Sequence, residues 1–222
     1  MIVASKETAS RVTTTDHSGE ERWQQRKSAM TREGILSAAV ECLVEQGYTG
    51  LTTIEVARRA EVSRGAMHHH FANRTELVTA LIDWVLHQRL ERFLTDYVSA
   101  IENVANADFF ATAAELHWQG MLAPEYTAYI ELAMAARTDS DLSAILVPAT
   151  KAFDREWTAA MRKAFPEWES RAEAMQLASD MANAVHLGLY INRPFMGDAA
   201  RRNAVRKQLV AVVESIYREA EQ

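Results

Sequence analysis

Three helix-start signals fall between Thr52 and Glu76, and they restrict the fold more than any other feature of the chain. Thr52-Thr53-Ile54-Glu55 has the S/T-x-x-E spacing of a capping box, Ser63 precedes a second helical run, and Asn73-Arg74-Thr75-Glu76 resembles the first arrangement. An oxygen on each capping side chain accepts a backbone N–H that the first helical turn leaves without a partner, so each signal opens a helix. Ahead of them, from Thr31 onward, Ile35, Leu36, Ala39, Cys42 and Leu43 share one helical face, and Gly47 follows as a C′ glycine would. The expected order is then a short helix from Thr52 to near Ala60 with Ile54, Val56 and Ala57 inward, and another from Ser63 to near His70. A long helix follows from Asn73 toward Val104, carrying Leu77, Leu81, Trp84, Leu90, Phe93, Leu94 and Tyr97.

The rest of the chain reads as helix too. The 8 glycines and 4 prolines in 222 residues are too few to punctuate a many-stranded sandwich or barrel, while 48% apolar residues suffice for a sizeable core. Further helices are expected at 107–122, 124–137, 139–165, 168–192 and 199–219, with Pro148 kinking or splitting the third of these. The fold class is therefore all-α, with about nine helices. The expected domains are a flexible tail over 1–27, a three-helix module over 28–74 and a larger helical body over 75–222. The single cysteine, Cys42, excludes an internal disulfide framework and a Cys-based zinc site, and its apolar setting predicts a buried thiol. No apolar run approaches the roughly 18–20 residues of a membrane span, and the N-terminus lacks the apolar centre of a secretory leader. A cytoplasmic protein is expected.

A net charge of −6 argues at first against a nucleic-acid partner, but the charge is uneven: residues 22–75 are net +3 and residues 76–222 net −7. A basic module joined to an acidic body suits phosphate contact at one end and another task at the other. Short helices joined by a three- to four-residue turn have helix-turn-helix spacing. That compactness lets one helix enter a major groove about 12 Å wide while the preceding helix rests on the sugar-phosphate edge. Free N–H groups at the helix starts would bring Thr52, Thr53, Ser63 and Arg74 beside phosphates.

The run from Gly47-Tyr48 through Thr52-Thr53-Ile54-Glu55-Val56-Ala57-Arg58-Arg59-Ala60-Glu61-Val62-Ser63-Arg64-Gly65-Ala66-Met67-His68-His69-His70-Phe71 to Arg74 and Leu77 resembles the DNA-binding signature of the TetR (tetracycline repressor) family. The resemblance implies that Thr52 caps the second helix and touches a phosphate and that Ser63 caps the recognition helix. Arg64, Ala66 and His69 would face base edges or nearby backbone, Arg74 would clamp a phosphate, Gly65 would permit close approach, and Phe71 would be core. His68 departs from the family pattern, standing where a tyrosine usually contacts phosphate. A protonated imidazole adds charge there, so operator affinity is expected to rise as pH falls from about 7.5 to about 6. Arg58 and Arg59 remain open between phosphate contact and plain solvation, and Arg22, Arg26 and Lys27 between a minor-groove arm and a disordered tail. His68, His69 and His70 spread around a helix by about 100° per residue and cannot converge on one metal ion. No metal or other cofactor is expected.

One three-helix module makes few contacts for tight, specific binding, whereas two copies across a two-fold axis read two half-sites. A homodimer on a palindromic operator is thus expected, and the resemblance implies it. The expected interface is Ala174, Ala178, Met181, Val185 and Leu189 on one late helix with Val205, Leu209, Val212 and Ile216 on the last; an ordinary monomer core is the competing reading. The resemblance also implies a small-molecule pocket. Its candidate lining is Trp84, Phe110, His117, Trp118, Tyr126, Tyr129, Met134, Trp157, Met161 and His186, suited to an apolar or aromatic effector, with His117, Tyr126 or Glu115 orienting a polar atom. No Gly-rich phosphate loop, H-E-x-x-H, G-x-S-x-G or paired-Cys motif occurs, so an enzyme is not expected. A helical adaptor, or a small-molecule binder without DNA binding, is the alternative to a ligand-released repressor.

Overall fold

The computed structural model describes residues 17–99 and 109–220, and the described residues form nine α-helices with no strand. The first four are α1 (His17–Gly50), α2 (Thr53–Arg59), α3 (Arg64–His70) and α4 (Arg74–Arg92). The body adds α5 (Phe109–Met121), α6 (Pro124–Ala136), α7 (Ser140–Ala164), α8 (Ala172–Asn192) and α9 (Ala199–Glu219).

Helix α1 starts well before Thr31. Every residue from 22 to 30 is exposed, so this part of the helix has no apolar stripe and leaves no period in the sequence. The expectation of a structureless tail is corrected over 17–27; residues 1–16 lie outside the described residues. Near the other end, Gly47 has φ +67° and ψ −176°, which breaks α1 ahead of a last turn, Tyr48–Gly50. That conformation is nearly exclusive to glycine. A Cβ there would also stand 3.1 Å from Glu131 Oε2. Gly47→Ala is expected to cost about 1–3 kcal/mol, read as a lower urea midpoint; an unchanged midpoint would contradict the strain.

The three caps form as the sequence predicts. Thr52 Oγ1 accepts the Glu55 N–H at 3.2 Å, Ser63 Oγ the Ala66 N–H at 3.1 Å, and Asn73 Oδ1 the Glu76 N–H at 2.9 Å. At α4 the Glu76 carboxylate reaches back past the cap, Oε2 accepting the N–H of Ala72, the residue before Asn73, at 3.0 Å. At α2 the Glu55 carboxylate is taken instead by Arg58 and Arg59. Between α2 and α3 the chain reverses at Glu61, whose φ of +54° is left-handed.

One core joins the N-terminal helices to the body. Ile35, Ala39 and Leu43 of α1, Val56 and Ala57 of α2, Met67 of α3 and Leu77, Leu81 and Val85 of α4 pack with Ala128 and Leu132 of α6 and Leu142 and Leu146 of α7. Cys42 is buried in it, its Sγ donating to the Gly50 carbonyl at 3.3 Å, and burial pushes its thiol pKa up. Ile54, expected inside, is 62% exposed. It lies two residues before Val56, about 200° away around a helix that buries Val56 and Ala57.

The long fourth helix also differs from expectation. Its α-helical part ends at Arg92, and Phe93–Val98 continue as a π-helix; residues 100–108 lie outside the described residues. Pro148 does not split α7, which runs from Ser140 to Ala164. The proline is exposed, so water can take the Ala144 carbonyl that its missing N–H leaves free. A 3-10 turn, Pro166–Arg171, delays the start of α8 to Ala172.

Candidate functional site

Two inward side chains anchor α3: Met67, and Phe71 at its C-cap, both almost fully buried. Arg64, Gly65, His68 and His69 are exposed and Ala66 is half-buried. Among the described residues Arg64 has no ion-pair or hydrogen-bond partner within the chain. A Cβ built on Gly65 meets nothing nearer than Ser63 Oγ at 3.8 Å, so internal packing does not require glycine there. An exposed glycine in a helix costs about 1 kcal/mol relative to alanine, and no contact within the chain offsets that cost at Gly65. Thr52 is exposed and Thr53 half-buried. As caps, Thr52 and Ser63 accept with oxygen, which leaves each hydroxyl hydrogen for an outside acceptor.

The arginines divide by partner. Arg74, expected to clamp a phosphate, is turned inward: Nε donates to the Leu51 carbonyl at 2.8 Å, Nη1 to the Tyr48 hydroxyl at 3.0 Å and Nη2 to the Tyr48 carbonyl at 3.0 Å. Its guanidinium also lies over the Tyr48 ring. It pins the α1–α2 turn to the start of α4 and keeps two N–H groups uncommitted. Arg59 is a brace as well, paired at 2.8 Å with both Glu45 of α1 and Glu55 of α2. Arg58 pairs with Glu55 at 2.7 Å but keeps most of its side chain in solvent. Hydrogen bonds from Arg58 and Arg59 hold the Glu55 carboxyl at about 2. Arg22, Arg26 and Lys27 are exposed on the helical extension of α1.

A cavity of about 450 Å³ lies in the body, bounded by the last turn of α4, the π-helix and helices α5 to α9. Of the expected lining, Phe110, His117, Tyr126, Tyr129, Trp157 and Met161 face it. Four others do not. Trp84 packs against the first core. Trp118 is buried beside His186, with the Arg206 guanidinium over its ring. Met134 is 50% exposed on the outside. His186 is fully buried, one layer behind His117. Glu115 stays outside the cavity, paired with Arg206 and Gln119. Aromatic and sulfur side chains announce burial, but on helices with two apolar faces they do not say which face meets the void.

The polar end of the cavity holds a residue the pattern reading missed. Arg89 extends the α4 stripe of Val78, Ile82, Val85 and Leu86 toward Phe93, and an arginine interrupting such a stripe was the available signal. Its guanidinium centre lies 4.2 Å from the Tyr129 ring centroid, 4.7 Å from Tyr126 and 4.8 Å from Phe153. Burial pulls its pKa down, against Tyr126 and Tyr129, which raise it, Tyr129 also accepting a hydrogen bond from the guanidinium. Tyr126 donates its hydroxyl to Asn183 Oδ1 at 3.1 Å, and burial pushes this phenol up to about 12.

His117 Nδ1 and His186 Nδ1 are 2.9 Å apart. Burial holds His117 down to about 3 and His186 to about 4, so both rings are neutral at pH 7. One shared hydrogen joins the two Nδ1 atoms. His186 Nε2 is buried without a partner, and a buried bare lone pair costs less than a buried unpaired N–H. This assigns the shared hydrogen to His186 and leaves the His117 hydrogen on Nε2. Among the described residues no group of three or more His, Cys, Asp or Glu could hold a metal ion.

On the expected dimer helices, Ala178, Leu189 and Leu209 are buried within the chain, and Ala178 and Leu209 line the cavity. Those three are corrected from interface to core. Ala174, Met181, Val185, Val212 and Ile216 are half-buried and Val205 is exposed. The outward apolar positions of α8 are Leu177, Ala184 and Ile191, seven residues apart along one side.

The family model for bacterial regulatory proteins, tetR family, matches residues 35–81, from the buried face of α1 into α4. The HTH-type transcriptional regulator CymR of Pseudomonas putida is 38% identical over 71 residues, which is 32% of this chain and 35% of that protein. An uncharacterized HTH-type transcriptional regulator of Mycobacterium bovis is 33% identical over 127 residues, 56% of this chain and 63% of its own length. The chain thus covers less than two thirds of either relative. A member of the TetR family from Streptomyces coelicolor A3, SCO1917, superposes with a TM-score of 0.59 at 17% identity, over 84% of this chain and 97% of that one. The multidrug binding protein EbrR, complexed with imidazole, gives 0.57 at 16% identity, over 83% and 93%. At such identities the likeness is one of fold.

Proposed function

We propose, since this chain belongs to the TetR family of bacterial regulatory proteins, that it is a cytoplasmic repressor which binds a palindromic operator as a homodimer and leaves it when a small apolar or aromatic effector binds. The observation that carries this reading is α3: capped by Ser63, held by Met67 and Phe71, and presenting Arg64, Gly65, Ala66, His68 and His69 to solvent. Arg64, Ala66 and His69 then read base edges or adjacent backbone, and Thr52, Thr53, Ser63 and His68 meet phosphates. Arg74 acts chiefly by fixing the turn that carries Thr52. Ala174, Met181 and Val185 of α8 and Val205, Val212 and Ile216 of α9, with the outward Leu177, Ala184 and Ile191, are apolar positions open to a second copy.

Helix α4 links the two ends. Its first turns are buried in the core shared with α1 to α3, and its last turn carries Arg89 into the cavity wall. An effector changes operator affinity only if it prefers one arrangement of the paired reading heads over the other. The test is selection of bound genomic fragments followed by anisotropy titration at several salt concentrations. A repressor dimer is expected to enrich a palindromic site and to lose about a thousandfold or more in affinity between 50 and 200 mM salt. A helical adaptor would enrich no fragment.

A further inference from the structure

We propose that the cavity takes an anionic ligand, an aromatic carboxylate of one or two rings, with its acid group held by Arg89 and His117 and its rings among Phe93, Phe110 and Trp157. The inference rests on the cavity being the effector site and adds the ligand's charge.

A guanidinium stays charged in any protein environment. Placing one inside a fold is costly unless an anion pairs with it. Among the described residues no carboxylate lies within ion-pair distance of Arg89. The acids on the cavity boundary do not serve: Glu125 is paired with Arg92 at 3.3 Å, and Asp96, Asp154 and Asp180 are exposed at the rim. Tyr126, Tyr129 and Phe153 cover the guanidinium's faces. Ring contact of that kind engages the π-faces, and apart from the N–H given to Tyr129 it leaves in-plane N–H groups, the part that matches a carboxylate.

His117 supplies a second donor. Its Nδ1 is engaged by His186, and the assigned tautomer leaves the Nε2–H for an acceptor on the cavity side. Arg89 and His117 line the same cavity, and the Arg89 charge helps to keep this ring neutral. Tyr126 already donates to Asn183 and is not a free donor. A cationic ligand would be repelled by Arg89, and a neutral one would leave it without a counter-ion.

The test is calorimetric titration of the full-length protein with benzoate and 2-naphthoate, each against its own primary amide. The wild type is expected to bind the better acid at least tenfold more tightly than its amide. In Arg89→Met that ratio should fall below about twofold while the amide's affinity stays within about threefold. Arg89→Lys should retain part of the preference. Should the methionine variant fail to fold by circular dichroism, Arg89→Gln, which keeps polar bulk without charge, replaces it. Equal binding of acid and amide by the wild type, or an undiminished ratio in the uncharged variant, overturns the charge assignment and leaves the cavity reading standing. No binding of any acid or amide overturns both.

Discussion

Gly65→Leu is expected to leave the melting temperature unchanged or higher while lowering operator affinity a hundredfold or more. Space is available inside the chain, since the first neighbour of an added Cβ is Ser63 Oγ at 3.8 Å. Leucine is also the better helix former by about 1 kcal/mol. Outside, the same position lies in the first turn of α3 beside Arg64 and Ala66, where DNA must come within van der Waals contact for side chains to reach base edges. A branched side chain there holds the helix off the groove, and a hundredfold loss corresponds to about 2.7 kcal/mol. Thermal melting and anisotropy on the same preparation separate the two effects. A large fall in melting temperature would mean that Gly65 is needed by the fold, and an unchanged affinity would mean that α3 does not face DNA closely.

The second large effect is on acid stability. Between pH 6.5 and 4 the fold is expected to lose about 3 kcal/mol or more through the His117–His186 pair. In an unfolded chain these rings take up protons near pH 6.5; in the fold, burial holds them to about 3 and about 4. Below pH 6.5 the unfolded state therefore binds protons that the native state does not, and stability falls as pH falls. Above about pH 7.5, where the unfolded rings are neutral too, the pair contributes no slope. His70, also lowered by burial, acts in the same direction. Glu55, held at about 2 by Arg58 and Arg59, works in the same direction once pH falls toward the ordinary carboxylate value, so the histidine contribution is read most cleanly above about pH 5.5. Urea unfolding at stepped pH should show a shallower fall for His186→Leu, because one of two proton-excluding sites is gone. An identical slope in the variant would place the acid sensitivity elsewhere.

Both predictions rest on features whose legibility in the sequence differs. The caps at Thr52, Ser63 and Asn73 were readable because capping is local: an oxygen and an N–H three residues on decide it. Gly47 was readable for a similar reason, and Phe71 faces inward as the resemblance implies. The start of α1 was not, since a helix exposed on every side leaves no periodic mark. Ile54 shows the opposite failure, a hydrophobic residue on a seven-residue helix whose inner face is filled by Val56 and Ala57.

In the body, the resemblance implied a pocket and aromatic content suggested its lining, but not which face of each helix meets it. Trp118 and His186 pack behind the wall that Phe110 and His117 form, and nothing in a single helix's period separates those layers. Ala178 and Leu209 likewise proved to face inward because α8 and α9 bury one apolar side within the chain. The roles of Arg59 and Arg74 were hidden as well, because their partners Glu45, Tyr48 and Leu51 become neighbours only when α1 bends at Gly47. Arg89 escaped notice because cation–ring contacts depend on three separate helices meeting.

The measurement that bears most directly on DNA recognition is a crystal structure of the protein on its selected operator. The expected result is two copies with α3 of each in a major groove, Gly65 and Ala66 against base edges and the two helices spaced by about 34–36 Å or a multiple of it. DNA bound along any other surface, with α3 turned away from it, would contradict the account.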